Sequence, residues 1–343
     1  MNLKTLSELL GLSQTTVSRA LNGYPEVSEK TRLKVQQAAR KYNYSPNTRA
    51  QSLATGRAMA IGHVIPMSSN HEMVNPIFGD FIAGAGEAYA KAGYDMLLSV
   101  VPDSDEEQAY RRMAARGSVD GIIVHGPRKD DPRVAILKEI GMPFVVHGRM
   151  MGSETGYSWL DINNTRSFQR ATDLLLDLGH KRIALLNGIE TMDFAARRRA
   201  GYLEALRKRD IPIDPSLMFS EEMTEQNGYA VSKALLAGPN PPTAFLVSSY
   251  IMAIGVRRAI GRAGLTMGSD VSVVTHDDDL SYLKNGHDIP SFTATRSSVR
   301  DAGKTCAEIL LGSIASGNEQ PVQELWETEL TLGRSTGPNP NKP

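Results

Sequence analysis

The stretch that decides the fold of the N-terminal part is LSELLGLSQTTVSRALNGYPEVSEKTRLKVQQAARKYNYSPNTRAQSLATGR, residues 6–57. Apolar residues recur in it at helical spacing in three short segments, which indicates three amphipathic helices. Gly11 is a typical helix C-cap, and Ser13 and Ser28 stand where the second and third helices need an N-cap. Two helices joined by a tight turn that contains glycine predict a helix-turn-helix, whose second helix enters the DNA major groove.

The charge of this part differs from that of the rest of the chain. Residues 1–58 carry nine Lys and Arg against three Glu, although the whole chain has a formal net charge of zero. A basic head on an acidic remainder indicates that the head binds a polyanion. A three-helix bundle with a merely solvated polar face is the alternative at this point.

The second predicted helix carries side chains suited to reading bases, namely Gln14, Thr15, Ser18 and Arg19. Gln pairs with adenine, Arg pairs with guanine, and Thr reaches a base edge or a thymine methyl group. Ser13 and Thr16 are expected near phosphates, where they would set the register of the helix on the duplex.

Composition excludes several classes of protein. With the single cysteine Cys306, the 343-residue chain has no internal disulfide framework and no thiolate metal cluster. No run approaches the ~18 apolar residues that span a bilayer, and the N-terminus does not resemble a signal peptide. The expectation is a cytoplasmic protein without a membrane partner.

The N-terminal stretch resembles the DNA-binding head of the LacI/GalR family of bacterial repressors, almost continuously from Leu3 to Arg57. The matching positions are Thr16-Val17-Ser18-Arg19, Asn22, Val27-Ser28, Thr31-Arg32, Val35, Tyr44, Pro46-Asn47, Ala50 and Leu53-Ala54. The resemblance implies that Gln14, Thr15 and Arg19 read bases in double-stranded operator DNA. It also implies DNA contacts at the matched positions Asn22, Tyr44 and Asn47.

The resemblance divides the N-terminal part into a head, residues 1–46, and a hinge helix or linker, residues 47–57. In the family the hinge becomes helical on operator DNA, and a leucine wedges into the minor groove. That role falls on Leu53, with Ala54 beside it. Apolar wedges unstack a base step and kink the duplex, whereas ordinary packing of Leu53 against the body is the alternative.

From Ala58 onward, short apolar runs alternate with longer amphipathic ones, which predicts parallel sheets covered by helices on both faces. The strand-like runs are Ala60–Ile65, Met96–Val101, Gly121–Val124, Phe144–His147, Ile183–Asn187, Ala244–Val247, Val271–Thr275 and Phe292–Thr295. So many strands indicate two lobes with a ligand cleft between them. Gly84-Ala85-Gly86 lies inside a helical pattern, so close helix packing is expected there instead of a phosphate loop.

Residues 58–337 resemble the family's effector domain, a two-lobed, doubly wound α/β fold related to periplasmic sugar-binding proteins. The main markers are Val119-Asp120-Gly121-Ile122-Ile123, Leu178-Gly179-His180-Lys181-Arg182-Ile183-Ala184, Arg198 with Gly201-Tyr202, Asp270-Val271-Ser272-Val273-Val274 and Gly333-Arg334-Ser335-Thr336-Gly337. The resemblance implies that lobe one spans about 60–159 and 292–320, and lobe two about 160–290 and 322–333. Three crossings between the lobes would form a hinge.

The resemblance places effector contacts at Arg198, three residues before Gly201, and at Asp277, the first acid of His276-Asp277-Asp278. A structural ion pair between Arg198 and Asp277, or a role for a neighbouring arginine, remains an alternative.

Other pocket positions depart from the family pattern. Ser249-Tyr250 replaces a frequent Asn-Asp, Met223 replaces an aromatic residue, and the strand ending at His147 has Gly148 in place of an acid. These six positions, Arg198, Asp277, Ser249, Tyr250, His147 and Met223, are the predicted effector site.

The resulting hypothesis is a homodimeric repressor of sugar-utilisation genes that a sugar releases from a palindromic operator. The chain most resembles α-glucoside-utilisation repressors of the family, and its end, residues 337–343, lacks a tetramer-forming heptad tail. No cofactor, metal site or catalytic constellation is predicted, so the chain is not expected to be an enzyme. The alternatives are control by a corepressor and a sugar-binding protein without a DNA role.

Overall fold

The computed structural model describes residues 1–21, 23–44, 56–66, 74–152, 154–317 and 320–340. Contacts divide the chain into two compact units, Met1–Met59 with Gly117–Val119 and Ala60–Arg116 with Asp120–Pro343. Within the described ranges, no helix combines the length and the apolar character needed to cross a bilayer.

The described residues of the smaller unit form three helices, α1 (Leu3–Leu10), α2 (Gln14–Leu21) and α3 (Glu29–Lys41). Gly11 ends α1 in the left-handed conformation with a φ of 63°, as predicted. The predicted N-caps are also confirmed, because Ser13 Oγ accepts from Thr16 N at 3.0 Å and Ser28 Oγ accepts from Thr31 N at 3.3 Å. The helices enclose a core of Leu6, Val17, Ala20, Val27, Val35, Ala38 and Ala39.

The larger unit alternates strands and helices as predicted. Its elements are β1 (Ala60–Pro66), α4 (Pro76–Ala92), β2 (Asp95–Val101), α5 (Glu106–Ala115), β3 (Gly121–His125), α6 (Pro132–Glu139), β4 (Phe144–His147), β5 (Ser158–Ile162), α7 (Asn164–Asp177), β6 (Ile183–Asn187), α8 (Asp193–Lys208), β7 (Met218–Ser220), α9 (Glu225–Leu236), β8 (Ala244–Val247), α10 (Tyr250–Arg262), β9 (Ser272–Asp277), β10 (Thr293–Arg296), α11 (Val299–Ser316), β11 (Gln323–Trp326) and β12 (Glu329–Thr331).

The strands form two six-stranded sheets. The first has the order β11-β5-β4-β3-β1-β2 with every pair parallel, and the second has the order β12-β10-β9-β8-β6-β7 with only β12 antiparallel. We call the first sheet with its helices lobe one and the second lobe two. Buried Val, Ile and Leu residues dominate the central strands because helices cover both faces of a parallel sheet.

The structure corrects the predicted division of the C-terminal segments between the lobes. Residues 292–320 were expected in lobe one, and α11 packs in the lobe one core, but β10 pairs in parallel with β9 of lobe two. Residues 322–333 were expected in lobe two, but β11 pairs in parallel with β5 of lobe one, and only β12 returns to lobe two. A short apolar run specifies a strand, whereas its partner depends on where the intervening helix returns the chain.

The predicted close helix packing at Gly84 is confirmed. A Cβ atom on Gly84 of α4 would lie 1.9 Å from the main-chain oxygen of Arg300 in α11, and one on Gly303 would lie 2.1 Å from that of Phe81. The backbones of the two helices are therefore in direct contact where the helices cross. Phe81 and Val299 belong to the core of lobe one.

Candidate functional sites

The exposed face of α2 carries the side chains predicted to read bases. Gln14, Thr15 and Arg19 are exposed, whereas Val17 and Ala20 on the opposite face are buried in the head core. The helical repeat produces this division, because residues i, i+1, i+4 and i+5 share one side of a helix. Ser18 lies on the same side and is half-buried. The helix thus presents an amide, a hydroxyl and a guanidinium group together.

The first turns of α2 and α3 line one shallow depression of the head. Ser13 Oγ lies 2.8 Å from Thr16 Oγ1, and Ser28 Oγ lies 2.9 Å from Thr31 Oγ1. Arg19 lines the same depression. Hydroxyl groups at helix N-termini, beside an arginine, are the groups that commonly contact DNA phosphates.

Other predicted DNA contacts have different outcomes. Tyr44 packs half-buried against the head core, and burial raises the pKa of its hydroxyl. Asn22, Asn47, Leu53 and Ala54 lie outside the described residues, as does most of the predicted hinge helix. Their roles remain predictions.

The larger unit holds a cavity of about 820 Å³ between the carboxyl ends of its two sheets. On its lobe one wall, Pro66 ends β1 and Gly126 follows β3, while on its lobe two wall Gly188 follows β6 and Ser248 follows β8. In each lobe the two named strands are neighbours at the point where the strand order reverses. Such switch points are where open α/β sheets bind small molecules.

Arg198 lies at the centre of the lobe two wall. Its side chain is buried, with Nε donating to Asn164 Oδ1 at 2.8 Å and Nη1 donating to the Ser248 main-chain oxygen at 2.5 Å. The rings of Phe168 and Phe194 each lie 5.0 Å from the guanidinium carbon. Burial lowers the pKa of Arg198 to about 10, so the group remains charged near neutral pH.

Asn164 connects Arg198 to lobe one. Its Nδ2 donates to Asp161 Oδ1 at 3.2 Å, and Asp161 Oδ2 accepts from Arg149 Nε at 3.0 Å. Burial raises the pKa of the Asp161 carboxyl to about 6, although Arg149 opposes this shift. A hydrogen-bonded series therefore joins the ends of β4 and β5 to α7 and α8.

The guanidinium groups in the lobe one wall are neutralised by neighbouring acids. Arg133 contacts Asp131 at 2.6 Å and Glu106 at 3.2 Å, and Arg149 contacts Asp161 and Glu154. The lobe two side adds further acids, which are Glu221, Glu222, Glu225 and Asp278. The described part of the wall therefore favours an uncharged ligand over an anion.

Three of the six predicted effector residues line the cavity: Arg198, His147 and Met223. The other three, Ser249, Tyr250 and Asp277, are absent from its described wall. Ser249 Oγ caps α10 by accepting from Ile251 N at 3.2 Å.

Tyr250 points instead into the lobe two core. Its hydroxyl donates to the Lys284 main-chain oxygen at 3.0 Å, and its ring packs edge-on against Phe292 at 5.6 Å. Asp277 Oδ1 accepts from Asp279 N at 2.9 Å, and the next residue, Asp278, lines the cavity in its place.

Sequence reasoning did not select Asp161, Asn164, Asp278 or His125, which also line the cavity. Each stands at or just beyond the carboxyl end of a strand. The sequence signal that could have found them is a polar residue at the end of an apolar run, because the carboxyl ends of the strands meet at the ligand crevice.

A helix-turn-helix head followed by a two-lobed α/β body with an interlobe cavity defines the class of ligand-responsive DNA-binding regulators. Residues 2–47 match the family model of bacterial regulatory proteins, lacI family, and residues 172–336 match a periplasmic binding protein-like domain. The chain belongs to the LacI family of bacterial transcriptional regulators, and it is not an enzyme.

Similar proteins support this assignment over the full length. The HTH-type transcriptional regulator AglR of Rhizobium meliloti (strain 1021) is 45% identical over 342 residues, covering 100% of this chain and 96% of AglR. The lac repressor dimer bound to operator and the anti-inducer ONPF is 26% identical with a TM-score of 0.83, covering 98% of this chain and 99% of that chain. The transcriptional regulator CelR-cellobiose complex is 28% identical with a TM-score of 0.71, at the same coverages.

Proposed function

We propose that this regulator binds a palindromic operator as a homodimer and that an uncharged sugar in the interlobe cavity releases it. The observation that carries the proposal is the cavity of about 820 Å³, in whose wall Arg133 and Arg149 are each paired with an acid of the protein. Its size falls within the ~300–1,000 Å³ typical of small-molecule sites. An operator partner also makes the cytoplasm the proposed location.

The cavity wall supports a sugar through both its polar and its apolar groups. Arg198, Asn164 and Asp278 offer donors and acceptors for hydroxyl groups, while Phe78 and Phe194 offer apolar surface for the face of a sugar ring. The related CelR structure contains cellobiose, a neutral disaccharide. α-Glucosides are the first class to test, because the sequence resembles repressors of their utilisation.

Three contacts beside the cavity join the two lobes. Asp193 N donates to the Pro127 main-chain oxygen at 3.0 Å, and Met151 N donates to Asp193 Oδ2 at 2.7 Å. Arg197 Nη2 contacts Glu154 Oε1 at 2.6 Å. A ligand that binds one degree of lobe closure more tightly than another shifts the protein between its DNA-binding and non-binding states.

The test has two stages. Operator sequences are first selected from randomised duplexes with the full-length protein, and a two-fold symmetric consensus is expected. Fluorescence anisotropy then measures release by maltose, trehalose, sucrose, cellobiose and raffinose, with glucose 6-phosphate as an anionic control. Release by one neutral sugar supports the proposal. Release by the phosphate alone would contradict the uncharged ligand, and tighter binding with a sugar would make that sugar a corepressor.

A further inference from the structure

Three histidines stand side by side in lobe one at the cavity. His63 lies on β1, and His125 and His147 end the neighbouring strands β3 and β4, where they are paired in register. The rings of His63 and His125 stack at 5.2 Å, and those of His125 and His147 meet edge-on at 6.4 Å. His125 and His147 line the cavity, whereas His63 is fully buried behind them.

A hydrogen-bonded series runs from the core to the cavity through these rings. The Tyr89 hydroxyl lies 3.1 Å from His63 Nε2, and His63 Nδ1 lies 2.9 Å from His125 Nε2. Within the described part of the chain, the Tyr89 hydroxyl has no other hydrogen-bond partner, and His125 Nδ1 has none. Phe78 and Phe81 pack edge-on against His125, which holds its ring in place.

The direction of these hydrogen bonds follows from the Tyr89 hydroxyl. If His63 Nε2 donated to Tyr89, the buried hydroxyl hydrogen would have no acceptor, which costs free energy. If Tyr89 donates, His63 Nε2 accepts, and a neutral imidazole then carries its hydrogen on Nδ1. His63 Nδ1 donates in turn to His125 Nε2, which leaves the hydrogen of His125 on Nδ1.

We propose that Tyr89 and His63 are positioning residues that fix His125 in the tautomer with hydrogen on Nδ1, so that it donates a hydrogen bond into the cavity. This inference rests on the proposed function only for the nature of the ligand. A donor at this place suits a hydroxyl or ring oxygen of a sugar, and His147 adds one donor and one acceptor beside it.

The surroundings keep the rings uncharged, as the tautomer requires. Burial lowers the pKa of His63 and His147 to about 4, and it lowers the pKa of His125 well below its ordinary value. The nearby charged groups are Arg133, which lowers the pKa of His125, and Asp278, which raises that of His147. Near neutral pH the histidines therefore present fixed neutral donors and acceptors.

The first experiment needs no ligand. Long-range ¹H–¹⁵N correlation spectra of ¹⁵N-histidine-labelled full-length protein distinguish protonated from bare imidazole nitrogens, with His125 assigned through the His125→Asn variant. His125 is expected with hydrogen on Nδ1, and Tyr89→Phe is expected to produce a mixture of both tautomers. Hydrogen on Nε2 in the unsubstituted protein, or an unchanged tautomer in Tyr89→Phe, would overturn the proposal.

Tyr202→Phe is the matched control, because its buried hydroxyl donates to the Ile183 main-chain oxygen in lobe two and has no part in the cavity. It removes one buried hydroxyl without touching the histidines, so the His125 tautomer is expected to stay unchanged. A mixture in this variant as well would assign the effect to general loss of packing and would overturn the role of Tyr89.

The second experiment measures binding of whichever of maltose, trehalose, sucrose, cellobiose or raffinose raises the melting temperature. His125→Phe is expected to weaken binding about 10-fold, whereas His125→Asn, whose amide nitrogen can occupy the Nδ1 position, is expected to retain most of it. Equal losses in both variants would contradict the donor role. If no sugar of the panel binds, the proposed ligand class fails. The spectra still decide whether Tyr89 and His63 fix the tautomer of His125.

Discussion

Nε of Arg198 donates to Oδ1 of Asn164 at 2.8 Å, and the Nδ2 of the same amide donates to Asp161 at 3.2 Å. One amide therefore joins the charged centre of lobe two to the strand ends of lobe one. Because an amide oriented by two partners cannot turn independently, a ligand that moves Arg198 also affects the crossing between the lobes. We therefore expect Arg198 to connect ligand binding with lobe position.

Replacing Arg198 by alanine is expected to abolish release by the sugar while DNA binding is kept. A hydrogen bond to a charged group contributes about 1.5–3 kcal/mol, so sugar affinity should fall about 10- to 150-fold by calorimetry. Arg199→Ala is the control, because Arg199 is 43% exposed and pairs with Glu190. Full release in Arg198→Ala would move the ligand contact elsewhere.

Replacing Arg19 by alanine is expected to relax the preference for one base pair of each half-site by about 1–3 kcal/mol. Competition binding across single-base operator variants measures the change. Arg40→Ala, on the exposed side of α3, is the comparison and should weaken binding to all sequences alike. An unchanged base preference in Arg19→Ala would show that Arg19 contacts only the phosphates.

Replacing Gly201 by alanine is expected to destabilise the body by about 1–3 kcal/mol and to weaken sugar binding. A Cβ atom there would lie 2.0 Å from the Thr165 main-chain oxygen, so α8 would have to move away from α7 and carry Arg198 with it. Denaturant unfolding measures the stability. Gly261→Ala is the control, because its Cβ would meet no atom within 4 Å and alanine favours the helix.

Acidification is expected to reduce the free energy of unfolding between pH 6.5 and about 4. Burial lowers the pKa of His63 and His147 to about 4, so in this window the unfolded chain binds protons that the folded chain excludes. Each group contributes a slope of up to ~1.4 kcal/mol per pH unit. Asp161 opposes the trend, because burial raises its pKa to about 6. As the pH falls, the folded chain therefore binds this proton before the unfolded chain does, which stabilises the fold.

Urea unfolding across this pH range checks the prediction. His147→Gln should lower the slope by about one group's contribution, ~1.4 kcal/mol per pH unit, and Asp161→Asn should make the slope steeper. A His147→Gln curve parallel to that of the unsubstituted protein would show that the His147 ring does not titrate differently on folding.

The head could be predicted closely because its signals are local. Gly11, Ser13 and Ser28 act on the helix ends beside them, and Val17 and Ala20 need only the helical repeat to reach the core. The alternation of strands and helices in the body was predictable for the same reason. The strands β5 and β7 were not predicted, because Asp161 interrupts the apolar run of β5 and β7 has only three residues.

The position of the cavity was predicted from the sequence, but only some of its lining residues were. Arg198, His147 and Met223 line it, while Asp278 stands where Asp277 was expected. Successive residues beyond a strand end point in different directions, so a shift of one position exchanges a wall residue for a buried one. Tyr250 was predicted to contact the ligand, yet the start of α10 turns its ring toward Phe292.

Sequence alone determined the class of this protein: a basic helix-turn-helix followed by an α/β body, because capping, periodicity and charge are properties of neighbouring residues. Only the tertiary structure decided which strands pair across the lobes and which polar residues share the cavity. The series from Tyr89 through His63 to His125 joins residues from three separate segments, so its hydrogen bonds exist only after the chain has folded. The proposed sensing chemistry thus depends on long-range packing, whereas the predicted DNA-reading face depends on a single short helix.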